Sequence, residues 1–257
     1  MKIATQTKPP ILRKCFLLFL LLSVPLFLLL LLSLQPKRQQ RTTTDPTPEK
    51  LSYGSGDLKI RPGYDSYESY IQRQLKKTLN PKLREVWTTR DWDRKIQVFA
   101  LFFEDLKRKR LLLNESKALC IGARVGQEVE ALRRIGVSDS VGIDLVPSPP
   151  LVIRGDFHNQ PFDNETFDFE FSNVFDHALY PHRFVAEIER TLKPGGVCVL
   201  HVALSRRSDK YSANDLYSVK PLVEMFKGSE VVRIRKVDGF GLDTEVVFRK
   251  NIPILRS

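Results

Sequence analysis

Two glycines and a carboxylate are spaced in this chain as a bound nucleoside needs them. In ALCIGARVGQEVEALRRIGVSDSVGID, residues 118–144, Gly122 and Gly126 bracket a bend and Asp144 closes the stretch eighteen residues after Gly126. Glycines at a bend take backbone angles closed to other residues and let a ligand approach the main chain. An acid ending the next strand is where a nucleotide-binding βαβ unit accepts hydrogen bonds from ribose hydroxyls. The third spaced glycine of a dinucleotide phosphate turn is missing, which disfavours a nicotinamide cofactor. Metal chemistry finds no support, since four histidines and three cysteines show no ligand spacing. Cys15 borders an apolar run, while Cys120 and Cys198 fall in predicted buried strands, where a thiol acts as a small hydrophobe. Three such residues make no disulfide framework.

The elements that must position these residues follow from periodicity. Residues 118–121 are short and apolar enough for a buried parallel strand, Val129, Leu132 and Ile135 recur at helical spacing, and residues 141–143 give a second strand. Further strands are predicted at 151–154, leading into Gly155-Asp156-Phe157, and at 167–172. Phe184, Val185, Ile188 and Leu192 mark a helix over 182–192, and Lys193-Pro194-Gly195-Gly196 turns the chain into a dense apolar strand, 197–203. Residues 214–226 are predicted helical with a break near Pro221, and the alternating runs 230–237 and 244–249 predict an antiparallel hairpin. In front, one helix is expected over 64–79, ended by Asn80-Pro81, and a second from Thr88-Thr89 to about Arg110. On the second, Trp92, Ile96, Phe99, Phe103 and Leu106 form a single apolar face that needs a sheet to cover it. Strands alternating with helices, then a hairpin, predict an α/β fold whose sheet is mostly parallel with one reversed strand.

Residues 16–34 carry no charge and would make a helix of about 28 Å, close to the hydrocarbon thickness of a bilayer. Such a run exceeds the apolar region of a cleaved signal peptide and is followed by a poor cleavage site, so an uncleaved transmembrane signal anchor is expected. Lys2, Lys8, Arg13 and Lys14 precede it and favour a cytosolic tail over 1–15, with the large domain lumenal in a type II arrangement. The Golgi or another secretory membrane is the natural home. Two sequons, at Asn114 and Asn164, are compatible with that side. Residues 35–62, rich in Thr, Pro, Gly and Ser, are expected to be a flexible stalk before one domain over 63–257, with its own front helices at 64–110. The net charge of +11 lies in front of the sheet, whereas residues 113–257 are close to neutral, so nucleic acid is not the expected partner.

The series ALCIGARVG, VGID, GDF, FDFEFSNVFDH and LKPGG, in this order and spacing, resembles the class I S-adenosylmethionine-dependent methyltransferases, in particular the group called methyltransferase type 11. It is also similar to a family of membrane-anchored plant proteins built on that domain. The resemblance implies a Rossmann-like, seven-stranded, mostly parallel sheet with a C-terminal antiparallel hairpin, and S-adenosyl-L-methionine as cofactor. It would set Gly122 to Gly126 against the methionine end, Asp144 on the ribose, Asp156 on the adenine amino group, Phe157 beside the ring and Asn173 beneath the methyl. Two positions depart from the family pattern: Cys120 stands where an acid is usual and Arg124 where a glycine is usual, although the guanidinium could pair with the methionine carboxylate. A small-molecule or glycan acceptor is implied; His177, with Asp176 beside it, is the candidate to take its proton, ahead of His158 and His182. A membrane-tethered scaffold that has lost the cofactor is the alternative.

Overall fold

The computed structural model describes residues 56–204 and 209–253. The expected tail, membrane span and stalk up to residue 55 lie outside them. No described helix is long and apolar enough to cross a membrane. The described chain runs β1 (Leu58–Ile60), α1 (Tyr67–Thr78), α2 (Pro81–Thr88), α3 (Trp92–Arg108), β2 (Ala118–Ile121), α4 (Gln127–Arg134), β3 (Ser140–Asp144), β4 (Val152–Arg154) and β5 (Phe167–Ser172). A 3₁₀ turn, Phe175–His177, leads to α5 (Pro181–Thr191), β6 (Leu192–Val202), β7 (Asn214–Leu216), α6 (Lys220–Met225), β8 (Ser229–Gly239) and β9 (Leu242–Lys250).

Seven strands form one sheet in the order β4-β3-β2-β5-β6-β9-β8, parallel except for β9. This is the class I methyltransferase fold expected from the motifs. Alternation along the strands divides the core into two layers. Leu119, Ile121, Cys198 and Leu200 pack with Phe184, Val185 and Ile188 of α5 on one face. Ala118, Cys120, Val197 and Val199 pack with α3 and α4 on the other. Phe99 and Phe103 of α3 meet Phe171 edge-on, at 5.8 and 5.0 Å between ring centroids, which answers the apolar stripe on that helix. Parallel strands β2 and β5 neighbour each other although β3 and β4 lie between them in sequence, so the sheet reverses its direction of winding beside β2. A crevice opens there at the carboxyl ends of the strands.

Three expectations need correction. Residues 58–60, assigned to the stalk, form β1 and pair antiparallel with β7, with Leu58 buried opposite Leu216. The helix expected over 214–226 is therefore β7 plus the short α6; buried Asn214 donates to the carbonyls of Phe175 and Ala178, both at 2.8 Å, a demand that pattern alone does not reveal. The helix expected from Thr88-Thr89 begins only at Trp92, and an unpredicted helix, α2, precedes it. Asn80 caps α2 through Leu83 N–H with Pro81 in the first turn, and the two threonine hydroxyls donate back to carbonyls of that helix instead of capping α3.

An ionic cluster fastens the hairpin to α3. Glu245 of β9, fully buried, accepts from Arg233 at 2.8 Å and Arg235 at 2.7 Å and lies 3.1 Å from His201 Nε2, while Asp105 of α3 accepts from Arg233 at 3.0 Å. Burial pushes the Glu245 carboxyl up, but the hydrogen bonds from His201 and Arg235 outweigh it and hold the group down at about 2. Its stabilisation is complete above the ordinary glutamate value of 4.5 and is lost as pH falls from there through about 2. Glu245→Gln should flatten that acid limb, read as the urea midpoint between pH 7 and pH 3.

Candidate functional site

The chain leaves β2 through three residues in the left-handed region, Gly122 at φ +73°, Arg124 at φ +51° and Gly126 at φ +95°. The N–H groups of Gly122 and Ala123 donate to the carbonyl of Ile143 at 2.9 and 3.0 Å, which lays the bend across the end of β3. There Asp144 Oδ2 accepts from Arg124 N–H at 3.0 Å and Oδ1 from Val146 N–H at 3.2 Å. Asp144 thus faces the bend. Burial pushes its pKa up, and the two backbone hydrogen bonds and the charge of Arg124 offset this only in part. A desolvated carboxylate with lone pairs to spare at the wall of a crevice suits a pair of hydroxyl donors.

The glycines themselves are required first by packing. A Cβ at Gly122 would lie 2.4 Å from Cγ2 of Val174, and one at Gly126 would lie 2.6 Å from Cβ of Leu151. Gly122 nonetheless lines the crevice, with the side chain of Val174 beside it. The Arg124 guanidinium lies 5.4 Å over the Trp87 ring and 3.6 Å from Glu128 Oε1. Its Nε and the second oxygen of Glu128 are buried without a hydrogen-bond partner among the described residues. Glu128, in the first turn of α4, also receives Asn173 Nδ2 at 3.1 Å. It is a residue the motif reading missed. Burial and the charge of Glu128 both push the Cys120 thiol well up, so an acid does stand near this strand, contributed by the helix and not by position 120.

The other side of the crevice is closed by α1. Tyr67 donates its hydroxyl to Asp156 and lies 2.8 Å from Nδ1 of His158, whose Nε2 accepts from Tyr180 N–H at 3.2 Å. The His158 proton is therefore on Nδ1. Asp156 also accepts from His158 N–H at 2.9 Å; burial raises its pKa, but the hydrogen bonds from His158 and Tyr67 more than reverse this. Asp156 lines neither cavity of the site, whereas Phe157 lines the crevice. The Asp156 carboxylate is thus shared with a tyrosine from a helix that the motif does not reach.

His177 and Asp176 are adjacent and lie within ion-pair distance, but no hydrogen bond joins their side chains. Asp176 accepts the Ser212 hydroxyl and lies 3.8 Å from His177 Nε2. The imidazole is oriented by α1, with Nδ1 3.0 Å from Gln74 Oε1 and Nε2 3.0 Å from Lys77 Nζ. An ammonium can only donate, so Nε2 accepts and Nδ1–H donates to Gln74. Burial lowers the His177 pKa, and the charge of Lys77 lowers it further against the opposing carboxylates of Asp176 and Asp209. His182 lines neither cavity.

The crevice has a volume of about 50 Å³ and continues into a cavity of about 270 Å³ that shares Lys77, Arg124, Val174 and His177 with it. Together they fall at the lower end of the roughly 300–1,000 Å³ of ligand pockets. The residues present fit S-adenosylmethionine at two of its three parts. Asp144 suits the ribose diol. The unsatisfied nitrogen of Arg124 and the unsatisfied oxygen of Glu128 are of opposite sign and suit a zwitterionic amino acid.

Residues 119–200 match a family described as methyltransferase domain. Over 46 residues the chain is 52% identical to a phthiotriol/phenolphthiotriol dimycocerosates methyltransferase of Mycobacterium leprae, covering 17% of each chain. It is 48% identical over the same length to phthiotriol/phenolphthiotriol dimycocerosates methyltransferase 1 of Mycobacterium ulcerans, again covering 17% of each. The matched region thus spans only about a sixth of these curated relatives. Among solved structures, the fold superposes on the 1,6-didemethyltoxoflavin-N1-methyltransferase of Burkholderia thailandensis with a TM-score of 0.57, covering 76% of this chain and 95% of that one at 14% identity. That structure holds 1,6-didemethyltoxoflavin and S-adenosylhomocysteine. At this identity the likeness is one of fold.

Removing the Lys77 charge tests the histidine arrangement. In Lys77→Met the His177 pKa should rise, because one lowering charge is gone while Asp176 and Asp209 remain. Titration of its imidazole resonances measures this, and an unchanged pKa would contradict the contact.

Proposed function

We propose that this chain transfers a methyl group from S-adenosyl-L-methionine to a small-molecule or glycan acceptor. The observation that carries the reading is the desolvated Asp144 carboxylate turned toward the glycine-flanked bend. When bound, the cofactor supplies an electrophilic methyl. Asp144 would hold the ribose hydroxyls, Arg124 the carboxylate and Glu128 the ammonium of the amino-acid end, with Phe157 against the base. Asn173, fixed by Glu128 and lining the wider cavity, stands between the cofactor end and the acceptor end. Gln74, Lys77 and Thr78 of α1 close the crevice against water, which favours in-line displacement by holding both reactants in register.

Calorimetry on the full chain should detect S-adenosylhomocysteine binding, weakened about tenfold or more, equivalent to about 1.4 kcal/mol, in Asp144→Ala. A wild-type affinity equal to that of the variant would remove the basis of the reading. One observation favours a second reading, an inactive tethered scaffold: the side chain of Arg124, where the family pattern has glycine, lines the crevice. Under that reading wild type binds nothing and Arg124→Gly gains affinity.

The protein is further proposed to be a single-pass type II protein of the Golgi or another secretory-pathway membrane, anchored in the bilayer by residues 16–34. The uncharged run supports this, as do the two sequons, whose Asn114 and Asn164 are exposed on turns. Expressed in secretory cells, the full chain should carry two endoglycosidase-sensitive increments, one removed by Asn114→Gln and the other by Asn164→Gln. A protein bearing neither would place the domain on the opposite side.

A further inference from the structure

The cavity of about 270 Å³ beside the crevice is bounded by α1, α3, the end of β5 and the hairpin tip at Phe240 and Gly241. Three cations line it, and they are not equivalent. Lys77 donates to Asp209 at 2.6 Å, and Arg124 lies 3.6 Å from Glu128. Lys95 of α3 is only 6% exposed, and among the described residues no hydrogen-bond acceptor or carboxylate pairs with its ammonium. Its ammonium instead sits over the face of Phe240, with Nζ 5.1 Å from the ring centroid. Burial lowers its pKa to about 8, Arg124 and Arg94 push in the same direction, and Glu128 and Asp91 oppose them, so the group is mainly an ammonium at neutral pH. A buried cation with no directly paired carboxylate among the described residues, facing a cavity with room for a small molecule, is a charge that a partner from outside the chain can complete.

Among the described residues the cavity's other proton-accepting groups are already hydrogen-bonded, although the carboxylates of Asp176 and Asp209 keep lone pairs. His177 has its one lone pair engaged by Lys77, Asp176 accepts from Ser212, and Asp209 accepts from Lys77. A hydroxyl acceptor must lose a proton to something, whereas a carboxylate arrives with its nucleophilic electron pair already free.

Building on the methyltransferase reading, we propose that the methyl acceptor is a small carboxylic acid, bound as its carboxylate against Lys95 and converted to a methyl ester. A carboxylate oxygen provides the electron pair of the new O–CH3 bond, the electron pair of the broken C–S bond returns to sulfur, and no proton moves. The anionic acceptor and the sulfonium become a neutral ester and a neutral thioether. The ester has lost the charge that held it to Lys95, and this favours its departure.

The test is calorimetry on the full chain with benzoate and glucuronate as probes and benzamide as the uncharged control, each with and without saturating S-adenosylhomocysteine. Either carboxylate should bind wild type, benzamide should not, and Lys95→Met should weaken the carboxylate at least tenfold while S-adenosylhomocysteine binding is retained. Wild-type affinity should also fall as pH rises past about 8, with Lys95 flanked by Arg124, Glu128, Asp91 and Arg94, and that fall should be missing in Lys95→Met. Lys95→Gln repeats the comparison with a polar side chain of similar length. Carboxylate binding that is equal in wild type and both variants, benzamide binding as well as benzoate, or no carboxylate bound under either condition overturns the proposal. If wild type binds carboxylates but not S-adenosylhomocysteine, the methyl-donor reading and the ester step both fail, and only the anion site is upheld.

Discussion

The contact on which the site depends is the hydrogen bond from the Arg124 N–H to Asp144. It joins the bend after β2 to the end of β3 at the position where a non-glycine residue adopts φ +51°. A residue with a Cβ is disfavoured there by about 1 kcal/mol or more, so the bend is held by its partners and not by local preference. The two donations to Ile143 fix where the bend lies, and Asp144 fixes the turn of its peptide. The carboxylate consequently has two functions at once: it shapes the loop and it faces the space that the loop encloses. Buried negative charge is tolerated because three backbone and side-chain positive partners surround it, namely the two N–H groups and the Arg124 guanidinium charge.

The second constraint comes from outside the sheet. α1 contributes Tyr67, Tyr70, Gln74 and Lys77, and each makes a hydrogen bond to the loops at the carboxyl edge: to Asp156, to the carbonyl of His177, to the carbonyl of Tyr211, and to Asp209. This helix is bound to the 3₁₀ turn by the same residues that determine the protonation pattern of His177. The site is therefore an assembly of a parallel sheet and a helical cover, and its polar chemistry is arranged between the two.

How legible this was in the sequence differs by element. Strands β2, β5 and β6 declare themselves because both faces of the sheet are covered there and runs such as FDFEFS and VCVLHV have no other stable placement, whereas the hairpin shows in its alternation. The stripe Ile96, Phe99, Phe103 and Leu106 likewise announces a helix that needs a sheet. β7 was illegible because its pairing depends on Leu58, more than 150 residues earlier in the chain, and no local pattern encodes that distance. In the site, the glycine bend and Asp144 could be found by spacing, whereas Glu128, Tyr67, Gln74 and Lys95 could not. Their roles arise where α1, α3 and α4 converge on the sheet edge, and a charged residue on an amphipathic helix is ordinarily read as solvated. Lys95 is the clearest instance: its neighbours Arg94 and Asp93 are exposed, and only the packed structure separates it from them.

The ionic cluster at Asp105 and Glu245 has a bearing on the cavity although it does not line it. Asp105 is ten residues along α3 from Lys95, about 15 Å at the helical rise. The helix is riveted to the hairpin at that point, while Phe240 stands at the far end of the same hairpin. Helix and hairpin thus form the two arms of a caliper whose pivot is made of charges, and the gap measured at its tips, between the ammonium and the aromatic ring, is gauged by groups that never touch what enters.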